Sequence, residues 1–277
     1  MINNLDNLNY QYKRNIVNDF YYHNISFDEI MIKYQLTRNE LIAILYDANV
    51  SKKALKKHIT DTFIDDKELL IISDTHIGSI YESSMYIDSL LEFAIVNNIN
   101  NILHCGDIIQ STYRPVKKDY INSKKQIERF ISLFPDYINV YLLLGNHDYH
   151  SLYNKDNLYK IIDSKDNLNI LGFKKAYLKW QKYLFTLSHR IDNYKLILPN
   201  YPIIFDFVGH RHEFVLNNSK IFVPSLSNDI KGNGWPGFLY AKLENKELII
   251  DEYVFDLEAK YYQTSNSIIK SLNNIVK

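Results

Sequence analysis

The sequence predicts an α/β fold preceded by a short all-α segment, and three observations carry that prediction. From residue 68 onward, short apolar runs alternate with stretches whose apolar positions follow a helical period. Five of the apolar runs stop abruptly at Asp, Asn or His, as buried parallel strands do when they deliver side chains to a carboxyl edge. Before residue 60 the only period is helical. A length of 277 residues, at about 150 per domain, accommodates one large domain or a medium one with a small companion.

A first helix is expected from about Asn9 to Tyr22, where Ile16, Val17 and Phe20 share one face. Ser26 with Glu29 and Thr37 with Glu40 have the S/T-x-x-E form of a capping box, so helices are expected over Phe27–Lys33 and Arg38–Asp47. The connection Tyr34-Gln35-Leu36 is short and forces the second helix to cross the first closely. This segment resembles the small helix-turn-helix modules of resolvase and sigma-like regulators, although the usual turn glycine is absent near Gln35. The resemblance implies a DNA-facing surface of Arg38, Asn39, Ile42 and Tyr46, with Lys52, Lys53, Lys56 and Lys57 meeting phosphates. A helical cap that docks on the main domain or dimerises needs the same apolar pattern. Residues 1–60 are therefore read as a small helical domain and 61–67 as a linker, because Asp61, Asp65 and Asp66 interrupt amphipathicity.

The main domain is expected over 68–257. Leu69–Ser73 reads as a strand ending in Asp74-Thr75-His76, and Ser84–Asn97 as a helix. Asn101–Cys105 repeats the strand and ends in Gly106-Asp107; Lys124–Phe134 repeats the helix; Val140–Leu144 ends in Gly145-Asn146-His147-Asp148. Tyr183–Ser188 leads to His189, and Ile203–Val208 leads to Gly209-His210-Arg211-His212. Lys220–Val223, Gly237–Leu243 and Glu247–Phe255, the last two around an Asn245-Lys246 turn, read as antiparallel hairpins. Residues 258–277 are expected to form a helical tail.

Composition narrows the function classes. Lys plus Arg and Asp plus Glu each number 32, so the formal net charge is zero, and any binding to nucleic acid or anionic membrane must be local. The single cysteine, Cys105, has no intramolecular partner, and Met1 to Tyr10 is polar, with neither a cationic nor an apolar leader region. A cytoplasmic protein is expected. No apolar run approaches the roughly 20 residues of a membrane helix.

The chemistry lies in the strand ends. Asp74, His76, Asp107, Asn146, His189, His210 and His212 mix carboxylate oxygens with imidazole nitrogens, which suits Mn, Fe or Zn better than Ca or Mg. Seven donors exceed the needs of one ion that keeps room for water, and they suit two ions sharing a carboxylate. In Asp74-x-His76 and His210-x-His212 the paired donors would point to one face of an extended backbone.

In this order, D-x-H, G-D, G-N-H-D, a lone H and G-H-x-H form a signature that resembles the calcineurin-like metallophosphoesterase superfamily. The resemblance spans roughly residues 67–256 and implies a four-layer αββα sandwich. It implies two divalent metal ions, Mn first and Fe, Zn or Ni as alternatives. Asp74, His76, Asp107 and His212 would hold one ion. Asp107, Asn146, His189 and His210 would hold the other, with Asp107 bridging. His147 matches the family's non-ligand histidine that serves the phosphate or the leaving oxygen, and Asp148 would fix its loop by hydrogen bonding. Arg190 and Arg211 adjoin ligands and offer phosphate contacts, although alternation aims Arg211 away. Gln110 stands where many members carry an acidic residue that orients the non-ligand histidine, so support for His147 would be weaker here. His23, His58, His104 and His150 read as packing or surface histidines, and Cys105 as a small core residue. Trp180, Trp235 and the Tyr-rich stretch from Tyr149 to Tyr159 would rim a cleft or fill the core.

The resulting expectation is a dinuclear metal-dependent phosphoesterase that hydrolyses P–O bonds by attack of a metal-bridging hydroxide. The D-R-G and G-N-H-E extensions of the protein phosphatase branch are absent, which favours a phosphodiesterase, nuclease or small phosphomonoesterase over a protein phosphatase, and a phosphodiesterase or nuclease on DNA or RNA is the expected subclass. Arg114-Pro115 faintly echoes the repair nucleases. The alternatives are a phosphoesterase for a nucleotide or other small ester, and a DNA-binding regulator built on an inactive phosphoesterase scaffold.

Overall fold

The computed structural model describes residues 10–21, 27–47, 63–113, 115–118, 122–148, 162, 165–173, 175–190, 203–228 and 235–272. Its helices are α1 (Tyr10–Tyr21), α2 (Phe27–Tyr34), α3 (Arg38–Asp47), α4 (Ser84–Val96) and α5 (Ser123–Leu133). Its strands in chain order are β1 (Phe63–Ile64), β2 (Glu68–Ile72), β3 (Asn101–His104), β4 (Asn139–Leu144), β5 (Leu168–Phe173), β6 (Lys175–Trp180) and β7 (Tyr183–Ser188). They continue with β8 (Ile203–Val208), β9 (Val215–Asn217), β10 (Lys220–Phe222), β11 (Gly237–Glu244), β12 (Glu247–Asp256) and β13 (Tyr261–Ser271).

Among the described residues the strands form two sheets, a seven-stranded one ordered β13-β12-β11-β2-β3-β4-β5 and a six-stranded one ordered β1-β6-β7-β8-β10-β9. β2, β3 and β4 are parallel neighbours, so their carboxyl ends lie side by side along one edge. Alternation along each strand separates two cores. Leu70 and Ile72 face α4 and α5 through Ile87, Leu90, Ile127 and Phe130. Leu69 and Ile71 face the second sheet through Phe185, Leu187 and Phe207. Trp180 lies in this inter-sheet core, fully buried, and its indole N–H donates to the Asp66 carbonyl at 2.7 Å. It therefore does not rim a cleft, whereas Trp235 is exposed.

The N-terminal helices provide the outer layer on the second sheet. Ile16, Phe27, Ile30, Leu41, Ile44 and Leu45 share a buried cluster with Tyr177 of β6 and Leu184 of β7, and α3 lies against β5 and β6. The layers thus run helix, sheet, sheet, helix. Capping at α3 is reciprocal: Thr37 N–H donates to Glu40 Oε2 at 2.9 Å, and Glu40 N–H donates to Thr37 Oγ1 at 3.1 Å. Docking of α3 corrects the DNA-facing expectation at Arg38, which is only 9% exposed and sets its guanidinium 5.6 Å from the Phe27 ring centroid. A groove-reading side chain must be open, and that of Arg38 is not. The side chains of Asn39, Ile42 and Tyr46, and residues 48–62 with Lys52, Lys53, Lys56 and Lys57, lie outside the described residues.

Two boundary expectations are corrected. Within the 61–67 linker, Phe63–Ile64 pair in parallel with Lys179 and Trp180, because the exposed acidic flank still leaves Ile64 an apolar slot between the sheets. The 258–277 tail is not helical over Tyr261–Ser271, which form β13 against β12. Asp256 Oδ1 accepts from Glu258 N and Ala259 N, and Lys260 adopts a φ of 60°, so the chain reverses onto β12. As an edge strand β13 is exposed along most of its length and carries too weak an apolar alternation to be read from sequence. Asn245 and Lys246, at φ 50° and 63°, make the tight β11–β12 turn that the sequence predicts. No helix of the described residues is long and apolar enough to cross a membrane.

Candidate metal centre

The loops that leave β2 and β3 are zipped together beyond the strand ends. Asp74 N–H donates to Gly106 O at 2.9 Å, His76 N–H to Asp107 O at 3.1 Å and Ile77 N–H to Ile108 O at 3.0 Å. This registers the D-x-H loop against the G-D loop. The donors are not on extended backbone, as their spacing suggested. Asp74, His76 and Asp107 have φ of 52°, 44° and 53°, and His210 and His212 have 70° and 58°. Left-handed conformations in non-glycine residues cost free energy, and their concentration here is the kind of local strain that functional loops carry. Two glycines make the crowding feasible. Gly106 has a φ of 101° and a Cβ there would lie 2.6 Å from His189 Nδ1; a Cβ on Gly145 would lie 2.2 Å from Asp107 Oδ1.

Side chains from five strand ends converge. Asp74, Asp107, His189 and His210 place ligand atoms within 4.8 Å of one another, as do Asp74, His76 and His212, and His76, Asp107 and His147. His212 Nε2 lies 3.1 Å from Asp74 Oδ1, and His189 Nε2 lies 3.1 Å from Asp107 Oδ2. Asp74 Oδ2 accepts from Ser73 Oγ at 2.5 Å and from His210 N at 2.8 Å, which leaves Oδ1 turned to the histidines. His189 Nδ1 donates to the Cys105 carbonyl at 2.9 Å, so Nε2 is the atom presented to the cluster.

The donor set fits divalent cations. His76 Nδ1 and Nε2, Asn146 Oδ1 and His210 Nδ1 are buried without a hydrogen-bond partner. Buried polar atoms left unpaired are costly, and nitrogen and oxygen lone pairs that converge beside two carboxylates have a natural partner in a cation. Electrostatics agrees. Burial opposes ionisation of Asp74 and Asp107, yet the neighbouring histidines hold both carboxyls below the usual range, His212 acting most on Asp74 and His189 on Asp107. Burial alone would depress His189, but Asp107 pushes it up to about 9. His104 is lowered to about 3, and His147 and His210 to about 4, in each case first by burial.

These shifts define a pH profile for the metal-free chain. Between pH 4 and 6.5 the unfolded chain protonates His104, His147 and His210 while the folded chain does not, so stability rises with pH. Asp148, raised to about 6 by burial and then by Asp107, opposes this with one proton against three. Above pH 6.5 the folded chain alone keeps the His189 proton until about pH 9, so stability falls again. Chemical denaturation of metal-stripped protein across pH 4.5 to 9 is expected to show maximal stability near pH 6.5. A monotonic rise through pH 8 would contradict the His189–Asp107 pairing.

The remaining expected residues take definite places. Asp148 is fully buried, and its carboxylate accepts from Gly145 N at 2.7 Å, Ile109 N at 3.0 Å and Ile108 N at 3.1 Å. It ties the G-N-H-D loop to the G-D loop. His147 N–H donates to Asp107 Oδ1 at 2.8 Å. Its Nδ1 lies 3.2 Å from the main-chain carbonyl of Gln110, so the backbone of Gln110, and not its side chain, orients the ring. The Gln110 amide instead donates to Tyr113 O at 3.1 Å. Tyr113 packs its ring 4.3 Å from that of His147 and is 36% exposed. Arg190 is exposed, and its charge acts on both His210 and Tyr113, which places it at the mouth. Arg211 is turned to Glu213 at 2.8 Å and over the Phe222 ring at 4.7 Å. Sequence reasoning missed Ser73, Ser225, whose Oγ donates to Asp74 O at 2.9 Å, and Tyr113, since none carries a motif. The region from Tyr149 to Tyr159 lies outside the described residues.

Comparison with known proteins follows the same lines. A sequence model of the calcineurin-like phosphoesterase family matches residues 68–234, more than half of the chain. No curated protein matches by sequence. Similar solved structures include YfcE, a phosphoesterase from E. coli, with 16% identity and a TM-score of 0.47 over 74% of this chain and 100% of that one. They include vacuolar protein sorting 29 from Cryptosporidium parvum, with 15% identity and a TM-score of 0.46 over 74% and 98%. The nuclease MPE of Pseudomonas putida has 14% identity and a TM-score of 0.39 over 65% and 85%.

Proposed function

The chain belongs to the calcineurin-like phosphoesterase family of metal-dependent phosphoester hydrolases, and from that premise we propose that it is a dinuclear phosphodiesterase or nuclease acting on nucleic acid. The observation that carries the dinuclear reading is a pair of overlapping donor groups, Asp74 with Asp107, His189 and His210, and Asp74 with His76 and His212, which together offer more donors than one ion takes while keeping room for water. Asp74, His76, Asp107 and His212 would hold one cation, and Asp107, Asn146, His189 and His210 the other. The mixed oxygen and nitrogen donors favour Mn, with Fe, Zn or Ni compatible. Bound cations supply Lewis acidity, lowering the pKa of water and polarising the phosphoryl group.

The chain's own groups do the rest. Asp107 orients the His147 loop through the His147 N–H. His147 Nδ1 donates to the Gln110 carbonyl, so Nε2 is the atom that exchanges a proton at the leaving oxygen. Burial keeps this ring neutral on its own, and the arriving phosphate anion favours its protonated form. Arg190 at the mouth meets phosphate. The diester and nucleic-acid assignment draws on Tyr113, an aromatic residue 36% exposed whose ring centroid lies 4.3 Å from that of His147, since nucleobases stack on aromatic side chains.

The test is hydrolysis of bis-p-nitrophenyl phosphate, p-nitrophenyl phosphate and a short single-stranded DNA by metal-stripped protein refilled with Mn. Metal-dependent cleavage of the diester and the DNA is expected. Monoester cleavage alone would reassign the protein to small phosphate esters, and inactivity with every metal would make it a scaffold.

A further inference from the structure

We infer that His104 is a positioning residue of the metal centre, a strut that fixes the spacing between the loop bearing Asp74 and His76 and the loop bearing Asp107; the inference rests on the metal reading above. His104 ends β3, is fully buried and belongs to none of the donor groups. Phe130 of α5 seats it edge-on with ring centroids 6.1 Å apart.

The hydrogen-bond roles around the ring admit one arrangement. Gly106 N–H donates to His104 Nδ1 at 3.2 Å, so Nδ1 bears the lone pair. Thr75 Oγ1 gives its single hydrogen to the Ile108 carbonyl at 2.8 Å. The same oxygen lies 3.0 Å from His104 Nε2, which must therefore carry the ring hydrogen and donate it. One neutral tautomer satisfies every group.

Each of these bonds lands one residue from a proposed ligand. Thr75 stands between Asp74 and His76, and Gly106 immediately precedes Asp107. Ile108 O, which receives the Thr75 hydroxyl, also accepts from Ile77 N at 3.0 Å, so the side-chain chain lies across the same backbone zipper that registers the two loops. Because Asp74, His76 and Asp107 all sit at left-handed φ, the loops need an external hold to keep that conformation. A phenylalanine would fill the space of the ring but would leave the Gly106 N–H and the Thr75 oxygen without their partner.

Calorimetric Mn affinity, measured on the unaltered chain and on His104→Phe, Thr75→Val, Thr75→Ser and the His104→Phe/Thr75→Val double variant, tests the strut. His104→Phe and Thr75→Val are each expected to weaken Mn binding roughly 10- to 100-fold, the range seen for groups that orient metal ligands. Thr75→Ser keeps the hydroxyl and should retain the parent affinity. The double variant should be no weaker than the weaker single, since both remove one connected unit. Parent affinity in both single variants, with only the metal-free melting temperature lowered, would reduce His104 to packing, and additive losses in the double variant would break the link to Thr75. The tautomer gives a readout independent of metal: nitrogen NMR of the metal-free chain should show His104 protonated on Nε2, and protonation on Nδ1 would overturn the strut by itself. Failure of the unaltered chain to bind Mn would overturn the metal centre, and the strut with it.

Discussion

Asp107→Asn is expected to remove metal-dependent hydrolysis by about a thousandfold and to lower the bound Mn stoichiometry, with the fold intact. Asp107 is 1% exposed and lies in donor groups with Asp74, His189 and His210 and with His76 and His147. The amide keeps an oxygen for the His147 N–H, which Oδ1 accepts at 2.8 Å, so the loop stays tied. It removes the charge that faces His189 Nε2 at 3.1 Å and that two cations would share. Breaking a buried charge pair by losing one partner costs roughly 3–5 kcal/mol, and about 4 kcal/mol corresponds to a thousandfold in rate. Metal content by mass spectrometry, Mn titration calorimetry and circular dichroism on the same preparation check it. Activity within tenfold of the parent at full metal loading would remove Asp107 from the shared position.

Asp148→Ala is expected to act on the opposite quantity, stability, and to do so without metal. Among the described residues the carboxylate is the acceptor for the amides of Ile108, Ile109 and Gly145, and removing it leaves three buried N–H groups to be met by water or by loop opening. At about 1–3 kcal/mol per unsatisfied group, with partial relaxation, a loss of roughly 3–6 kcal/mol follows. In a chain of this size that lowers the melting temperature by about 5–10 °C. Asp148→Asn should lose less, because its amide oxygen can still accept from Ile108 N and Gly145 N although its NH2 cannot accept from Ile109 N, and because burial and Asp107 already disfavour the charge, raising this carboxyl to about 6. Thermal unfolding of the three metal-stripped proteins distinguishes the cases; an alanine variant within about 1 kcal/mol of the parent would mean that Asp148 does not hold the two loops together.

The contrast between these residues shows how far the sequence could be read. Asp74, His76, Asp107, His147, His189, His210 and His212 all come together in the structure, and each follows a strand that the apolar runs predicted. Hydrophobic period and strand-end chemistry are local signals, which is why β2, β3, β4, β7 and β8 could be placed within a residue or two. The left-handed backbone at five of the donors left no such trace, because residues at those positions are chosen for their chemistry and not for their φ. Gln110 is a related case. Its residue type suggested weaker support for His147, but the contact is made by its carbonyl, which any residue would bring.

The sequence by itself determined the five strands that end in donors, the two helices between the first three of them, the identity of the donors and the family signature, since these reside in residue types at short spacings. Tertiary structure alone decided which donors lie within reach of one another, that His104 meets Thr75 across two loops, that the N-terminal helices cover Tyr177 and Leu184, and that Tyr261–Ser271 extend the larger sheet. Each of these is a meeting of segments distant in sequence, where burial and hydrogen-bond satisfaction, settled only when the chain has closed on itself, outweigh local preference.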